Sequence, residues 1–317
     1  MSEAVTLHIP GSVLADAGAM RRIWGPLRDG LTALGVRVEC LVHRRDTVAG
    51  VIAADHGFHL IDHGGQPHAR ALIIGSAYIA PWHYCDPRGI RALSTLGDLT
   101  FDPETVPEAR AAAFHAELVR ELVARRRSRY FQPEERLEVP RGCIAVFLQT
   151  EAHRGVAETC YLRLRPMIKA LLARDDPRPI VVKPHPRDTD LDTFDWLARK
   201  ARKDRRLQII PANIHDILAV CAVVVTINSA VGIEAMVHGK PVVLCGHADF
   251  HHACLTVRRA DEMDAAIAAA EARDWTHARY LSWFYQDHCL DPRRPDLAQA
   301  VLNRIAATGY DLRLLRL

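Results

Sequence analysis

Residues 215–246 read HDILAVCAVVVTINSAVGIEAMVHGKPVVLCG. Within them Ala222–Ile227 (AVVVTI) is short, apolar and β-branched, as suits a strand buried on both faces. Asn228, Ser229 and Ala230 form a small-residue turn. Val231–His238 then has helical character, and Gly239 followed by Pro241 stops it. Pro241–Cys245 (PVVLC) returns to the strand pattern. Strand, helix and strand in so short a span predict a βαβ unit of a parallel sheet.

The alternation extends outward. Cys143–Gln149, Pro179–Lys183 and Leu207–Ile210 read as strands, and Val156–Arg174, Thr193–Lys203, Ile214–Cys221 and Asp261–Ala272 as helices. This predicts a Rossmann-like half covered on both faces. The first half is less regular. Met20, Ile23, Trp24, Leu27, Leu31 and Leu34 have helical spacing, Gly35 stops them, and Val36–Val42 reads as a strand. Ala71–Gly75 is a further strand and Glu108–Arg127 a long helix. The polar, proline-bearing segment 132–142 (QPEERLEVPRG) reads as a linker. The expected organisation is a Rossmann-like acceptor domain over 1–140 and a Rossmann-like nucleotide-sugar domain over 141–317, its last helix packing back on the first.

Composition agrees with two globular domains: 317 residues, 49% hydrophobic and 25% charged, is more than one core usually holds. With 41 Lys+Arg against 38 Asp+Glu the net charge is +3, which argues against a broad nucleic-acid surface. The longest apolar run, Ile217 to Ile227, is eleven residues, where a span needs about 20. The N-terminus (MSEAVTLHIPGS) lacks a basic, then long apolar, leader, so a cytoplasmic protein is expected. The eight Cys are scattered without a CxxC pair and read as reduced, buried thiols.

Two strand ends carry unusual residues, and ligands of open parallel sheets bind at such ends. After Val181-Val182 come Lys183-Pro184-His185-Pro186-Arg187, two cations and an imidazole on an exit stiffened by prolines. That suits an anionic ligand such as a phosphate. After Val225-Thr226-Ile227 come Asn228-Ser229-Ala230-Val231-Gly232-Ile233-Glu234. Ser229 is a natural N-cap, and Glu234 lies in the first helical turn, where it suits either a ribose or the helix dipole. Neither GxGxxG nor GxxxxGK[ST] occurs, so neither a dinucleotide nor a Walker-type site is indicated.

These residues resemble the capsule polysaccharide biosynthesis proteins, the family that includes bacterial Kdo transferases of capsule assembly. The resemblance rests on KPHPR (Lys183–Arg187), on residues 215–246, and more loosely on FLQTE (Phe147–Glu151). The His-Pro pair followed by a Ser-bearing strand–helix turn is also similar to bacterial sialyltransferases and teichoic-acid glycerophosphotransferases. The resemblance implies an α/β, GT-B-like fold, two Rossmann-like domains facing a central cleft, and a CMP- or CDP-activated donor. It implies a donor site of Lys183, His185, Pro186, Arg187, Asn228, Ser229, Gly232 and Glu234, with His185 and Ser229 on the phosphate. One departure stands out: many relatives carry two adjacent hydroxyl residues at the turn, and here Ala230 follows Ser229.

An inverting transfer needs a base beside the acceptor hydroxyl. The segment 78–94 (YIAPWHYCDPRGIRALS) follows a strand and offers Asp86 or His83 as that base, with Trp82 or Tyr84 to stack on a sugar. The alternative is a plain turn at Asp86-Pro87. Gln149 and Glu151 are weaker candidates. His247, Asp249, His251 and His252 have no standard metal spacing, so no metal is expected, and no cofactor beyond a CMP-sugar taken as substrate. The expected activity is transfer of an acidic, Kdo-like or sialic-like sugar to a glycolipid or oligosaccharide acceptor, with peripheral association with the inner membrane or a capsule assembly complex. A UDP-sugar transferase or epimerase, and a non-catalytic nucleotide- or polysaccharide-binding protein, are the alternatives.

Overall fold

The computed structural model describes residues 3–63, 67–149, 151, 154–187 and 189–315. The chain divides into two compact units, Met1–Asp98 with Phe284–Leu317, and Leu99–Trp283. Both are α/β.

The first unit carries β1 (Val5–Ile9), β2 (Val38–Val42), β3 (Phe58–Asp62), β4 (Ala71–Ser76) and β5 (His83–Asp86), in the order β2-β1-β3-β4-β5. The first four are parallel, while β5 turns back antiparallel to β4. Alternate residues of β1, β3 and β4 (Leu7, Ile9, Leu60, Leu72, Ile74) bury one face against Trp24, Leu27 and Leu31 of helix Trp24–Ala33 and Val301, Leu302 and Ile305 of helix Leu297–Ala307. The two helices approach so closely that a Cβ on Gly30 would lie 2.9 Å from the Ala298 Cβ. The last helix thus closes the first unit's core. Phe284 and Tyr285 join it, ringed by Tyr78, Trp82 and Tyr84.

Strands β1 and β3 are absent from the sequence-based expectation, and each carries a histidine in mid-run. His8 Nε2 and His59 Nδ1 lie 2.9 Å apart in the interior, and His59 Nε2 is 3.1 Å from the Asp55 carboxylate. Asp55 can only accept, so His59 donates from Nε2 and takes the His8 proton on Nδ1. Burial, with His59 adjacent, pulls His8 down to about 4.

The second unit carries β6 (Ile144–Phe147), β7 (Ile180–Lys183), β8 (Leu207–Ile209), β9 (Val223–Thr226), β10 (Val242–Leu244) and β11 (Leu255–Thr256). Their order is β11-β10-β9-β6-β7-β8, all parallel. β6, β7, β9 and β10 are buried along their whole length, as their continuous apolar runs require. The helix expected over 156–174 is broken. The Tyr161 and Leu162 amides donate to the Cys245 carbonyl at 2.9 Å and His247 N to Thr159 O at 2.8 Å, so cross-chain backbone partners displace helical ones. Helix Leu164–Leu172 starts after them.

The polar segment near 132–142 belongs to the second unit rather than separating two domains. Arg126 turns the chain at φ 49° and bonds both Asp216 oxygens and the Glu134 carbonyl. Gln132 accepts from Ile214 N, and Asn213 donates to Pro133 O. Helix Glu108–Leu118 packs on helix His277–Ser282, and Arg279 reaches Glu104 and the Pro103 carbonyl. Residues 99–140 are therefore held by side chains far along the sequence.

Candidate functional site

In the second unit the strand order reverses between β6 and β9, so their carboxyl ends flank a topological switch point. Phe147, Thr226 and Lys183 end adjacent strands β6, β9 and β7. The exits of β7 and β9 lie on either side of β6, about 10 Å apart by strand spacing. The sheet thus brings the two sequence-predicted donor segments to one edge.

On the β7 side, the prolines hold an extended exit, and His185 is half-buried. Its Nδ1 accepts from the Arg187 amide at 3.2 Å. An imidazole that accepts on Nδ1 carries its proton on Nε2. The Tyr130 ring meets His185 edge-on at 5.0 Å, and the Arg187 guanidinium lies 4.8 Å from the same ring. Tyr130 escapes sequence analysis because it lies between the expected helix 108–127 and the expected linker 132–142, assigned to neither. Its only signal is an aromatic residue in a polar stretch. Pro186 is exposed in the turn.

Lys183 departs from its expected role. Only 7% exposed, it donates from Nζ to the Ala212 carbonyl at 2.5 Å, and burial pushes its pKa down. It is a strut between β7 and the loop before helix Ile214–Val220. His215 is another strut: buried, it donates from Nε2 to Arg127 O at 2.7 Å and accepts on Nδ1 from His238 Nε2 at 2.9 Å.

On the β9 side, Asn228 organises the turn. Its Nδ2 donates to Thr159 Oγ1 at 2.7 Å and His247 O at 2.9 Å, and its Oδ1 accepts from Gln149 Nε2 at 3.0 Å. Gln149 Oε1 in turn accepts from Asn228 N at 2.9 Å. The amides of Asn228 and Gln149 thus tie the β6 and β9 exits together across the switch point. Ser229 Oγ accepts from Val231 N at 3.3 Å, but the cap of the short helix Val231–Val237 is Ala230, one residue later than the expected Ser229. Gly232 is a packing glycine, since a Cβ there would lie 2.8 Å from the Phe250 ring. Glu234 is buried and hydrogen-bonded by the Ser128 side chain, and burial raises its pKa to about 7. The Glu151 carboxylate accepts from Leu164 N at 2.5 Å and caps that helix. Thr150 of the FLQTE segment lies outside the described residues.

In the first unit the proposed base loop is built differently from the expectation. Asp86 is 4% exposed. One oxygen accepts from the Arg88 and Gly89 amides at 2.8 and 2.9 Å, the other from Ser94 Oγ, Thr95 N and Thr95 Oγ1 at 2.7–2.9 Å. A carboxylate filled by five donors anchors a loop and has no lone pair left for a substrate proton. Trp82 and Tyr84 are buried against Tyr285 and Phe284, not offered to a sugar. His83 is different. It pairs with Ser76 at the carboxyl end of β4, is buried, and its Nδ1 has no partner among the described residues. Burial lowers its pKa. At the same carboxyl end of the sheet, Asp62 ends β3, 2.6 Å from His63, and His43 follows β2 at the far edge, both of its ring nitrogens without a partner among the described residues. The Asp62 charge acts on both His43 and His83. The signal for these residues was a histidine directly after each of β2 and β3, in LVH (Leu41–His43) and IDH (Ile61–His63).

Among the described residues no group of three His, Cys, Asp or Glu side chains is arranged to hold a metal, and no helix is long and apolar enough to cross a membrane. The rings of His251 and His252 stack at 4.1 Å.

The family model described as capsule polysaccharide biosynthesis protein matches residues 112–286, more than half of the chain and nearly all of the second unit. No curated protein matches the sequence significantly. Among solved structures, the chain resembles the Thermosulfurimonas dismutans KpsC beta Kdo 2,7 transferase at 14% identity and TM-score 0.58, over 96% of this chain and 99% of that one. It also resembles the same organism's KpsC beta Kdo 2,4 transferase at 14% identity and TM-score 0.54, over 96% of this chain and 98% of that one. At such identity the likeness is one of fold, a GT-B-like pair of Rossmann-like units.

Proposed function

Because the chain belongs to the capsule polysaccharide biosynthesis protein family, we propose that it is a glycosyltransferase that moves an acidic, Kdo-like sugar from a CMP-activated donor to a glycolipid or oligosaccharide acceptor. The observation that carries this reading is the β7 exit. There His185, its Nδ1 accepting from the Arg187 amide, and Arg187 itself stand together at the switch-point edge. Donation from His185, with the Arg187 charge, stabilises the phosphate as the sugar–phosphate bond breaks and CMP leaves. Ser229 and Glu234, on the β9 side, supply contacts to phosphate and ribose. In the first unit the candidate to take an acceptor hydroxyl proton is His83. Burial keeps His83 neutral and able to accept. Asp86 is not assigned this task, because its oxygens are already filled.

Calorimetric titration of CMP, CDP, UDP and GDP into the wild type and His185→Ala tests the donor site. Cytidine nucleotides should bind best, and the substitution should weaken them by about 1.5–3 kcal/mol, the worth of one hydrogen bond to a charged group. A preference for UDP, or equal binding by the variant, would remove the CMP-donor reading.

A further inference from the structure

The second unit also has a cavity of about 380 Å³ that the donor site does not use. Gly239 and Pro241, among its lining residues, immediately precede β10, so it opens at the amino end of the strands, opposite the donor edge. That volume lies within the range of small-molecule sites.

One polar group in its wall stands out. His277 lines the cavity and is only 4% exposed. It is hydrogen-bonded to the Ala253 carbonyl, while its Nε2 has no partner among the described residues. The carbonyl must therefore take the Nδ1 proton, leaving Nε2 as a bare acceptor. Burial pulls the ring down to about 4, so it is neutral near pH 7. A buried acceptor without a partner is costly, and a ligand bearing an O–H or N–H relieves that cost.

The remaining lining narrows the ligand. Glu271 is paired with Arg178, which leaves Asp274 and Arg273 to balance, so the lining carries no net charge and favours a neutral ligand. Met236, Pro241, Ala270 and Trp275 give apolar wall. Trp275 is itself held, with its Nε1 donating to Ala270 O at 2.8 Å and its ring stacked on His277 at 5.4 Å. The Arg273 guanidinium lies 4.5 Å over the same ring, so the open apolar wall is that of Met236, Pro241 and Ala270, which with one bare acceptor suits the C–H groups and a hydroxyl of a pyranose. We infer that this cavity is a second carbohydrate site, which holds a neutral sugar residue by a hydroxyl donated to His277 Nε2. It does not depend on the identity of the nucleotide donor.

Saturation-transfer NMR on the full chain with glucose, galactose and N-acetylglucosamine, and with sialic acid as the acidic contrast, tests this. At least one neutral sugar should receive saturation from the wild type, and sialic acid much less. His277→Phe keeps ring volume and removes the acceptor, and Ala278→Phe fills the cavity from a half-exposed wall position. Both should abolish the neutral-sugar signal while CMP binding and the far-UV circular dichroism stay unchanged. No transfer to any neutral sugar, stronger transfer to sialic acid, or a neutral-sugar signal that survives Ala278→Phe would overturn the proposal. If only His277→Phe misfolds, the Ala278→Phe result decides. Loss of CMP binding in the wild type would count against the donor reading and leave this one standing.

Discussion

The loop after β5 in the first unit and the turn after β9 in the second unit are alike in sequence: each puts polar side chains beside a strand end. In both, the most conspicuous polar group holds its own loop. Asp86 collects five donors, and Asn228 bridges Thr159, His247 and Gln149. What differs is the residue left for chemistry. The first unit leaves His83 with an Nδ1 that has no partner among the described residues. In the second, His185 accepts on Nδ1 from the Arg187 amide and so carries its proton on Nε2. Local hydrogen-bond saturation, more than residue type, separates scaffold from site.

The largest effect that would break this comparison is at Asp86. Asp86→Ala strands several buried donors and should cost about 3–5 kcal/mol in urea unfolding. Asp86→Asn keeps one acceptor oxygen and should lose less. The decisive readout is turnover per folded molecule for Asp86→Asn. A hub loses stability and keeps turnover. Wild-type stability with turnover abolished would make Asp86 the base and His83 a bystander.

A smaller effect tests the second unit. Glu234 has a folded pKa of about 7 against 4.5 for an ordinary glutamate. The folded state therefore holds a proton that the unfolded state has lost between those values. The stabilisation from that proton is complete below pH 4.5 and is lost as pH rises through 7. Glu234→Gln carries no such dependence. It should match the wild type in thermal melts at about pH 4.5 or below and exceed it at about pH 8, by on the order of 2–3 kcal/mol. The same variant should weaken CMP binding if the carboxylate receives the ribose. A variant less stable than the wild type under the alkaline condition would mean that the Ser128 hydrogen bond outweighs the burial of charge.

These contrasts also explain what could be read from sequence. The second sheet was legible because β6, β7, β9 and β10 are unbroken apolar runs, for which a doubly covered parallel sheet is the main solution. In the first unit β1 and β3 were hidden, because His8 and His59 resemble solvent-facing residues until each is seen to satisfy the other inside the sheet. Likewise the segment 132–142 reads as a linker, since nothing local reveals that Ile214 and Asn213 supply partners to its first residues. The strand-end chemistry was half legible. Prolines around His185 mark a stiffened exit. Whether the neighbouring cation faces a ligand or a backbone carbonyl depends on residues 29 positions away.

That last ambiguity gives the smallest expected effect. Lys183 and His185 were both expected in the donor site, yet the Lys183 ammonium is spent on the Ala212 carbonyl. Lys183→Met keeps the length and apolar stem, removes a hydrogen bond to a charged group, and also removes the cost of burying that charge. The two changes partly cancel, so the loss should be only about 1 kcal/mol. CMP affinity should move by less than about threefold, whereas His185→Ala weakens it by roughly tenfold or more, a ratio that calorimetry resolves. If Lys183→Met instead weakened CMP binding as much as His185→Ala, the ammonium would have to leave Ala212 when nucleotide arrives. Lys183 would then be a strut only in the unliganded chain and a phosphate ligand in the complex.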